Sequence, residues 1–267
     1  MKNRSLPLFP LFALLCLLLC GSLAQAMDIG LLAPSDQRFR AELYYEDYQR
    51  DTRQDYPSVY PASSYVGKQE EKRLIARLSL APQRRWGLSL ELGGTDSEHS
   101  EQIAPLLGAG AHLVVLERGN LYASLFGRLT YVSGIEYKES YGGYVDELNY
   151  GYGTWQRDED YIEYGGGLQL GTRWQPCAWA ELSGYGGLLL SWVEETRSKE
   201  RERATGKFQG QDFDWSYSDS TIDMREEHQA QLFAGIELRA LPSNLALRLE
   251  SRFYDRTSLS AALLWAF

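Results

Sequence analysis

The last ten residues, Ser258 to Phe267, constrain the fold more tightly than any other stretch. Leu259, Ala261, Leu263, Trp265 and Phe267 recur at every second position, and Ser260, Ala262, Leu264 and Ala266 fill the places between. Side chains alternate faces along a strand, so this spacing builds a strand with one wholly apolar face.

Nine earlier stretches repeat the pattern. Phe39, Ala41, Leu43 and Tyr45 alternate with Arg40, Glu42, Tyr44 and Glu46; Leu74, Ala76, Leu78 and Leu80 alternate with Ile75, Arg77 and Ser79. Trp86, Leu88, Leu90 and Leu92 oppose Ser89 and Glu91, and Leu107 to Val115 opposes Gly108, Gly110 and His112. Leu121 to Ser133 sets Leu125, Leu129 and Tyr131 against Ser124, Arg128 and Thr130, while Ile162, Tyr164, Leu168, Leu170 and Trp174 face away from Glu163, Gln169 and Arg173. Ala180, Leu182, Leu188, Leu190 and Trp192 oppose Glu181, Ser183 and Tyr185. Ala230 to Leu238 alternates with Gln231, Glu237 and Arg239, and Leu245 to Phe253 with Arg248, Glu250 and Arg252.

The connections alternate too. Short turns at residues 82–85, 117–120, 175–178 and 241–244 separate polar loops at 49–70, 96–104, 134–160, 194–227 and 254–257. Three of the turns contain proline (Pro82, Pro176, Pro242), which cannot donate to a ladder and so sits where strands end. Ten strands with both termini on the turn side, each about the length that crosses a hydrocarbon core when tilted, make an all-β fold: a ten-stranded antiparallel transmembrane β-barrel with long extracellular loops. The terminal strand resembles the closing strand of bacterial outer-membrane β-barrels, which commonly end on a Phe read by their assembly machinery. That resemblance implies residence in the outer membrane, with lipid, lipopolysaccharide and the assembly machinery as partners.

The N-terminus fits export. Lys2 and Arg4 precede an apolar run at Leu11 to Leu19 and a small-x-small site at Ala24-Gln25-Ala26, a signal peptide over 1–26 that leaves 27–267 as the barrel. Lipidation at Cys20 is disfavoured because the preceding Leu17-Leu18-Leu19 puts a bulky Leu where such sites carry a small residue. After cleavage Cys177 is the single cysteine, so no internal disulfide holds the fold. Loss of Lys2 and Arg4 leaves 25 of the 27 basic residues against 36 acids, a net charge of −11, which argues against nucleic acid as partner because phosphate binding calls for a basic surface.

The face opposite the apolar one carries Arg40, Glu42, Arg77, Glu91, His112, Arg128, Glu163, Arg173, Glu181, Glu237, Arg239, Arg248, Glu250 and Arg252. Opposite signs nearly balance there. Since roughly eight strands already leave a lumen that side chains fill, the first expectation is a paired, hydrogen-bonded plug, and the second is a narrow charged pore. The net negative charge then belongs to the loops, among them 134–160 with seven acids and two bases and 194–227 with ten acids and six bases. Such loops either bind a cation or basic partner or are simply solvated. Tyr137, Tyr141, Tyr144, Tyr150, Tyr152 and Trp155 stand among glycines in the third loop, as a surface for an extracellular ligand or as strands continuing past the membrane.

No cofactor motif is present, and no Ser-His-Asp order, phosphate loop or cysteine cluster. One arrangement resembles chemistry. Asp96-Ser97-Glu98 places two acids at i and i+2, and Glu226-Glu227-His228 places an acid and a histidine at the same spacing. This is similar to the omptin outer-membrane proteases, also ten-stranded, whose acid pair and acid–histidine pair activate a water from opposite walls. The resemblance makes Asp96 and Glu98 the acid pair, His228 the base and Glu226 its orienting partner, although Glu98 and Glu226 stand where the family has Asp. The leading expectation is a structural, surface-binding or minor channel protein of the outer membrane, with the protease as alternative.

Overall fold

Antiparallel pairing carries the chain around a closed ring. The structure, a computed structural model, describes residues 38–55, 64–97, 100, 102–147, 149–219, 223–226, 230–253 and 258–267. In chain order the strands are β1 (Phe39–Asp55), β2 (Ser64–Gln83), β3 (Trp86–Ser97), β4 (Ala104–Arg118), β5 (Leu121–Asp146), β6 (Asn149–Cys177), β7 (Ala180–Phe208), β8 (Gln211–Asp219), β9 (Asp223–Glu226), β10 (Ala230–Ala240), β11 (Leu245–Phe253) and β12 (Ser258–Ala266). Each pairs with the next from β1 to β7, β7 pairs with β10, and β12 returns to β1. The ring therefore has ten staves, and β8 and β9 lie above it.

Closure joins the two ends of the chain. Arg40 to Tyr48 on β1 lie opposite Ala266 to Ser258 on β12, and the Phe39 and Phe267 backbones exchange two hydrogen bonds at 3.1 and 2.9 Å. Their rings stack at 5.7 Å, with Trp265 beside Phe267 at 5.3 Å. At the opposite end of the apolar band Tyr164 stacks on Trp192 at 5.8 Å. Aromatic pairs at both limits of an aliphatic band are the girdles of a membrane barrel.

The two faces separate cleanly. Leu78, Leu90 and Leu263 look outward and are 64, 69 and 52% exposed, whereas Arg73, Arg248 and Arg252 look inward and are at most 1% exposed. Outward leucines with inward arginines invert the soluble arrangement, and lipid is the surrounding that makes both favourable. No helix among the described residues is long and apolar enough to cross a membrane.

The expected loops are largely strand instead. β5, β6 and β7 run 26, 29 and 29 residues, and β8 adds nine across the span expected to be loop. At roughly 3.3 Å per residue β6 reaches about 95 Å, some three times the hydrocarbon thickness. Beyond the lipid the apolar–polar alternation stops, and with it the pattern that marks a strand in sequence. Pairing continues there because charged, Tyr and Gly positions still satisfy the ladder. A bulge between Val132 and Ile135 marks the exit of β5, where Gly134 takes φ 75° and donates its N–H to Asp160 at 2.6 Å. The β7–β8 hairpin turns through Gln209 and Gly210, both at positive φ (52° and 76°), the two-residue turn whose twist matches that of paired strands.

β9 closes the gap left by the shorter β10, β11 and β12. It pairs with Thr52 to Asp55 of β1 and touches β7 at Glu194. The segment 254–257 lies outside the described residues.

Candidate functional site

The inward face nearest the short turns holds one continuous ion network. Glu42 receives Arg40 at 2.7 Å, Arg248 at 2.9 Å and Arg77 at 3.2 Å. Glu91 receives Arg77 at 2.8 Å and Arg128 at 2.5 Å. The Tyr44 hydroxyl accepts from Arg128 and Arg77 at 3.0 and 3.3 Å, and its ring lies under the Arg77 guanidinium at 4.7 Å. Glu237 receives Arg40 at 2.5 Å and Arg239 at 3.1 Å, and Arg239 reaches Glu181 at 3.6 Å. Every buried charge named here faces an opposite one, the condition for leaving water at all. Arg173 pairs instead with Glu117 in the turn, at 3.8 Å.

A second cluster lies nearer the rim. Arg73 donates to Glu71 at 2.9 Å and to the Tyr161 hydroxyl at 2.7 Å, with Glu163 at 3.4 Å and Glu46 at 3.8 Å. Thr95 and Tyr161 also donate to Glu71, at 3.0 and 2.7 Å. Across the barrel Glu250 receives the Tyr185 hydroxyl at 2.9 Å and faces Arg252 at 3.7 Å. Arg73, Glu71, Glu46, Tyr161 and Tyr185 are absent from the sequence-derived network. Counting back from Arg77 in steps of two reaches Arg73 and then Glu71, so the inward parity carried the signal.

Rings fill what the ions leave. Val114, Tyr122, Phe126, Tyr185, Leu189 and Phe233 pack together inside the staves, and Tyr44, Ile75, Leu106, Val132, Ile135, Tyr161 and Val193 form a second apolar cluster. Phe126 meets Phe233 edge to face at 5.9 Å. These rings lie flat over inward glycines, Tyr185 over Gly235 and Tyr122 over Gly171, where a Cβ would collide with them. Replacing Gly235 with Val is therefore expected to push Tyr185 off Glu250 and cost about 1–3 kcal/mol, read as a lowered urea midpoint in lipid vesicles.

Of the acid and histidine positions of the omptin resemblance, Asp96 and Glu226 fall among the described residues. Asp96 is exposed and shares the outward parity of Leu88, Leu90 and Leu92 on β3. Glu226 ends β9 opposite Thr52, and Glu98 and His228 lie outside the described residues, as does His99. Among the described residues no group of three His, Cys, Asp or Glu is placed to hold a metal. Cys177 is a free thiol in its turn.

Above the rim β5, β6, β7 and β8 form a four-stranded sheet whose two faces differ. One face pairs charges, Arg203 with Asp214 at 3.1 Å, Arg201 with Asp158 at 3.3 Å and Lys207 with Asp212 at 3.9 Å, and carries Tyr144, Tyr150 and Tyr152 packed on one another near the hairpin tip. The other continues the inward wall and is aromatic. Its rows across the strands read Glu139, Trp155 and Glu202; then Tyr141, Gly153, Ala204 and Trp215; then Gly143, Gly151, Gly206 and Phe213. The Tyr141 ring lies on Gly153 and the Phe213 ring on Gly206 and Gly151, in the space a Cβ would take. Tyr141 donates its hydroxyl to Glu202, which holds the phenol above its ordinary pKa. These tyrosines therefore belong to strands continued past the membrane.

No protein-family model matches the chain, and no curated protein does. Among solved structures the chain is similar to the translocator domain of the autotransporter NalP from Neisseria meningitidis, at 12% identity and a TM-score of 0.40 over 88% of this chain and 91% of that one. It is also similar to a TodX monoaromatic hydrocarbon channel mutant (11%, TM-score 0.35, 92% and 96% covered). A third is the β domain of the Bordetella autotransporter BrkA (15%, TM-score 0.31, 87% and 100% covered).

Proposed function

We propose that the chain is an integral outer-membrane barrel with a closed interior, serving as an anchor that holds its long β5–β8 sheet at the cell surface. In this reading residues 1–26 direct export and are removed, the short turns face the periplasm, and the outward leucines meet lipid and lipopolysaccharide. Phe267 is the residue offered to the assembly machinery. The observation that carries the closed interior is the burial of inward side chains at successive levels, from Glu237 and Arg248 through Phe233 and Tyr44 to Arg73 and Tyr161. A side chain bordering a water column is exposed to it from within, and these are exposed by no more than 2%. The aromatic layer and the ion network among the described residues support the plug over the narrow charged pore considered from sequence.

Planar-bilayer recording tests the reading. Purified mature protein, inserted and shown to be folded by heat-modifiable migration, is expected to give no stable conductance steps. Reproducible open-channel steps that respond to substitution of inward arginines would replace the anchor with a channel.

A further inference from the structure

We propose that the aromatic face of the sheet above the rim binds a saccharide chain, an uncharged hexopyranose oligomer lying across the Tyr141, Phe213 and Trp215 rings with hydroxyls directed to Glu139 and Glu202. The proposal rests on the reading that this sheet stands outside the cell, and it names the ligand class that reading leaves open.

Ring geometry comes first. The Tyr141 ring packs over Gly153 and the Phe213 ring over Gly151 and beside Gly206, where a side chain would crowd them. The two rings remain 42 and 37% exposed, and Trp215 beside them 48%. Exposed rings of this kind are a stacking surface, and the C–H face of a pyranose is its polar-rimmed complement. An apolar partner alone does not fit, because Glu139 and Glu202 flank Trp155 in register within the same patch. Carboxylates accept from sugar hydroxyls in the plane of the ring while the aromatic takes the face.

Charge narrows the class. On this face the described cation is Arg157, which is buried and paired with Glu159 at 3.6 Å. An anionic polymer meets two carboxylates and no exposed cation there, and is disfavoured. The opposite face carries Arg201, Arg203 and Lys207, each paired with an aspartate, so the exposed cations of the sheet lie on that side. Height agrees: Gly153 lies eight residues beyond Tyr161 on β6, about 26 Å along the strand and past the end of the outward apolar band.

Titration of the folded mature protein in detergent with chitohexaose, cellohexaose and maltohexaose, followed by tryptophan fluorescence and calorimetry, tests this. At least one is expected to bind with a dissociation constant below about 1 mM. Tyr141→Ala and Trp215→Ala should each weaken it about tenfold, since each removes a buried ring face. Arg203→Ala and Lys207→Ala on the opposite face should change it less than about twofold. Absence of binding by all three sugars at about 10 mM overturns the proposal, as does binding that both aromatic variants leave unchanged. A decalysine peptide that binds through Tyr141 while the sugars do not would reassign the face to a cationic partner. Because conductance is read separately, a leaking barrel that still binds sugar removes only the closed interior, and a sealed barrel that binds none removes only the saccharide.

Discussion

Replacing Glu42 with Ala is expected to lower barrel stability by roughly 3–5 kcal/mol, because removing one partner of a buried ionic group strands the others. Glu42 is buried and receives Arg40, Arg77 and Arg248 at 2.7, 3.2 and 2.9 Å. The three guanidinium groups would keep Glu91 and Glu237 between them, one carboxylate fewer than the geometry was built around. Glu42→Gln keeps an acceptor while losing the charge and should fall between parent and Ala. The comparison is Asp214→Ala, which breaks the ion pair with Arg203 on the outer sheet. Those side chains are 60 and 67% exposed, and such pairs contribute under about 1 kcal/mol. Urea unfolding in lipid vesicles reads both. Equal losses at Glu42 and Asp214 would mean that water reaches the interior, and the closed-barrel argument would fail with it.

That contrast also explains what was legible in the chain. Inside the membrane two environments press on alternate residues, so Leu88, Leu90 and Leu92 against Ser89 and Glu91 spell out strand, register and face together. Thus the ring of ten, its four tight turns and the inward charges could be read directly. Above the rim both faces meet water. Lys138, Gln156 and Arg201 lie side by side on β5, β6 and β7 with nothing in their order to separate strand from loop. The extension of β5, β6 and β7, and the presence of β8 and β9, went unread for that reason.

The interior was legible by residue type but not by partner. Glu42 is linked to Arg248 across 206 residues of sequence, a contact set by closure of β12 on β1 and invisible to any local spacing. The flat rings were hidden for a related reason. Gly235 and Tyr185 meet only because β10 pairs with β7 in one register. Tyr141 and Tyr144, three residues apart on β5, take opposite faces by alternation alone, but which of the two faces continues the inward wall is set by the bulge between Val132 and Ile135, which local spacing does not show.

Leu90→Arg is the substitution with the other large expected effect, and it tests which solvent surrounds the ring. Leu90 is 69% exposed between Leu88 and Leu92 on β3. In water an exposed Leu→Arg change on a strand is nearly neutral or favourable, within about 0.5 kcal/mol. Facing the middle of a bilayer it costs about 2–4 kcal/mol, falling toward zero near the interfaces. Tyr144→Arg, at the tip of the β5–β6 hairpin, provides the aqueous reference and should change stability little. Unfolding in vesicles is expected to separate the two variants by at least about 2 kcal/mol. Should Leu90→Arg behave as Tyr144→Arg does, the outward leucines do not face lipid, and the ring would have to bury them against another surface. The inward arginines make that unattractive, since a barrel that keeps Arg73, Arg248 and Arg252 at its centre has already used its interior for ions and rings.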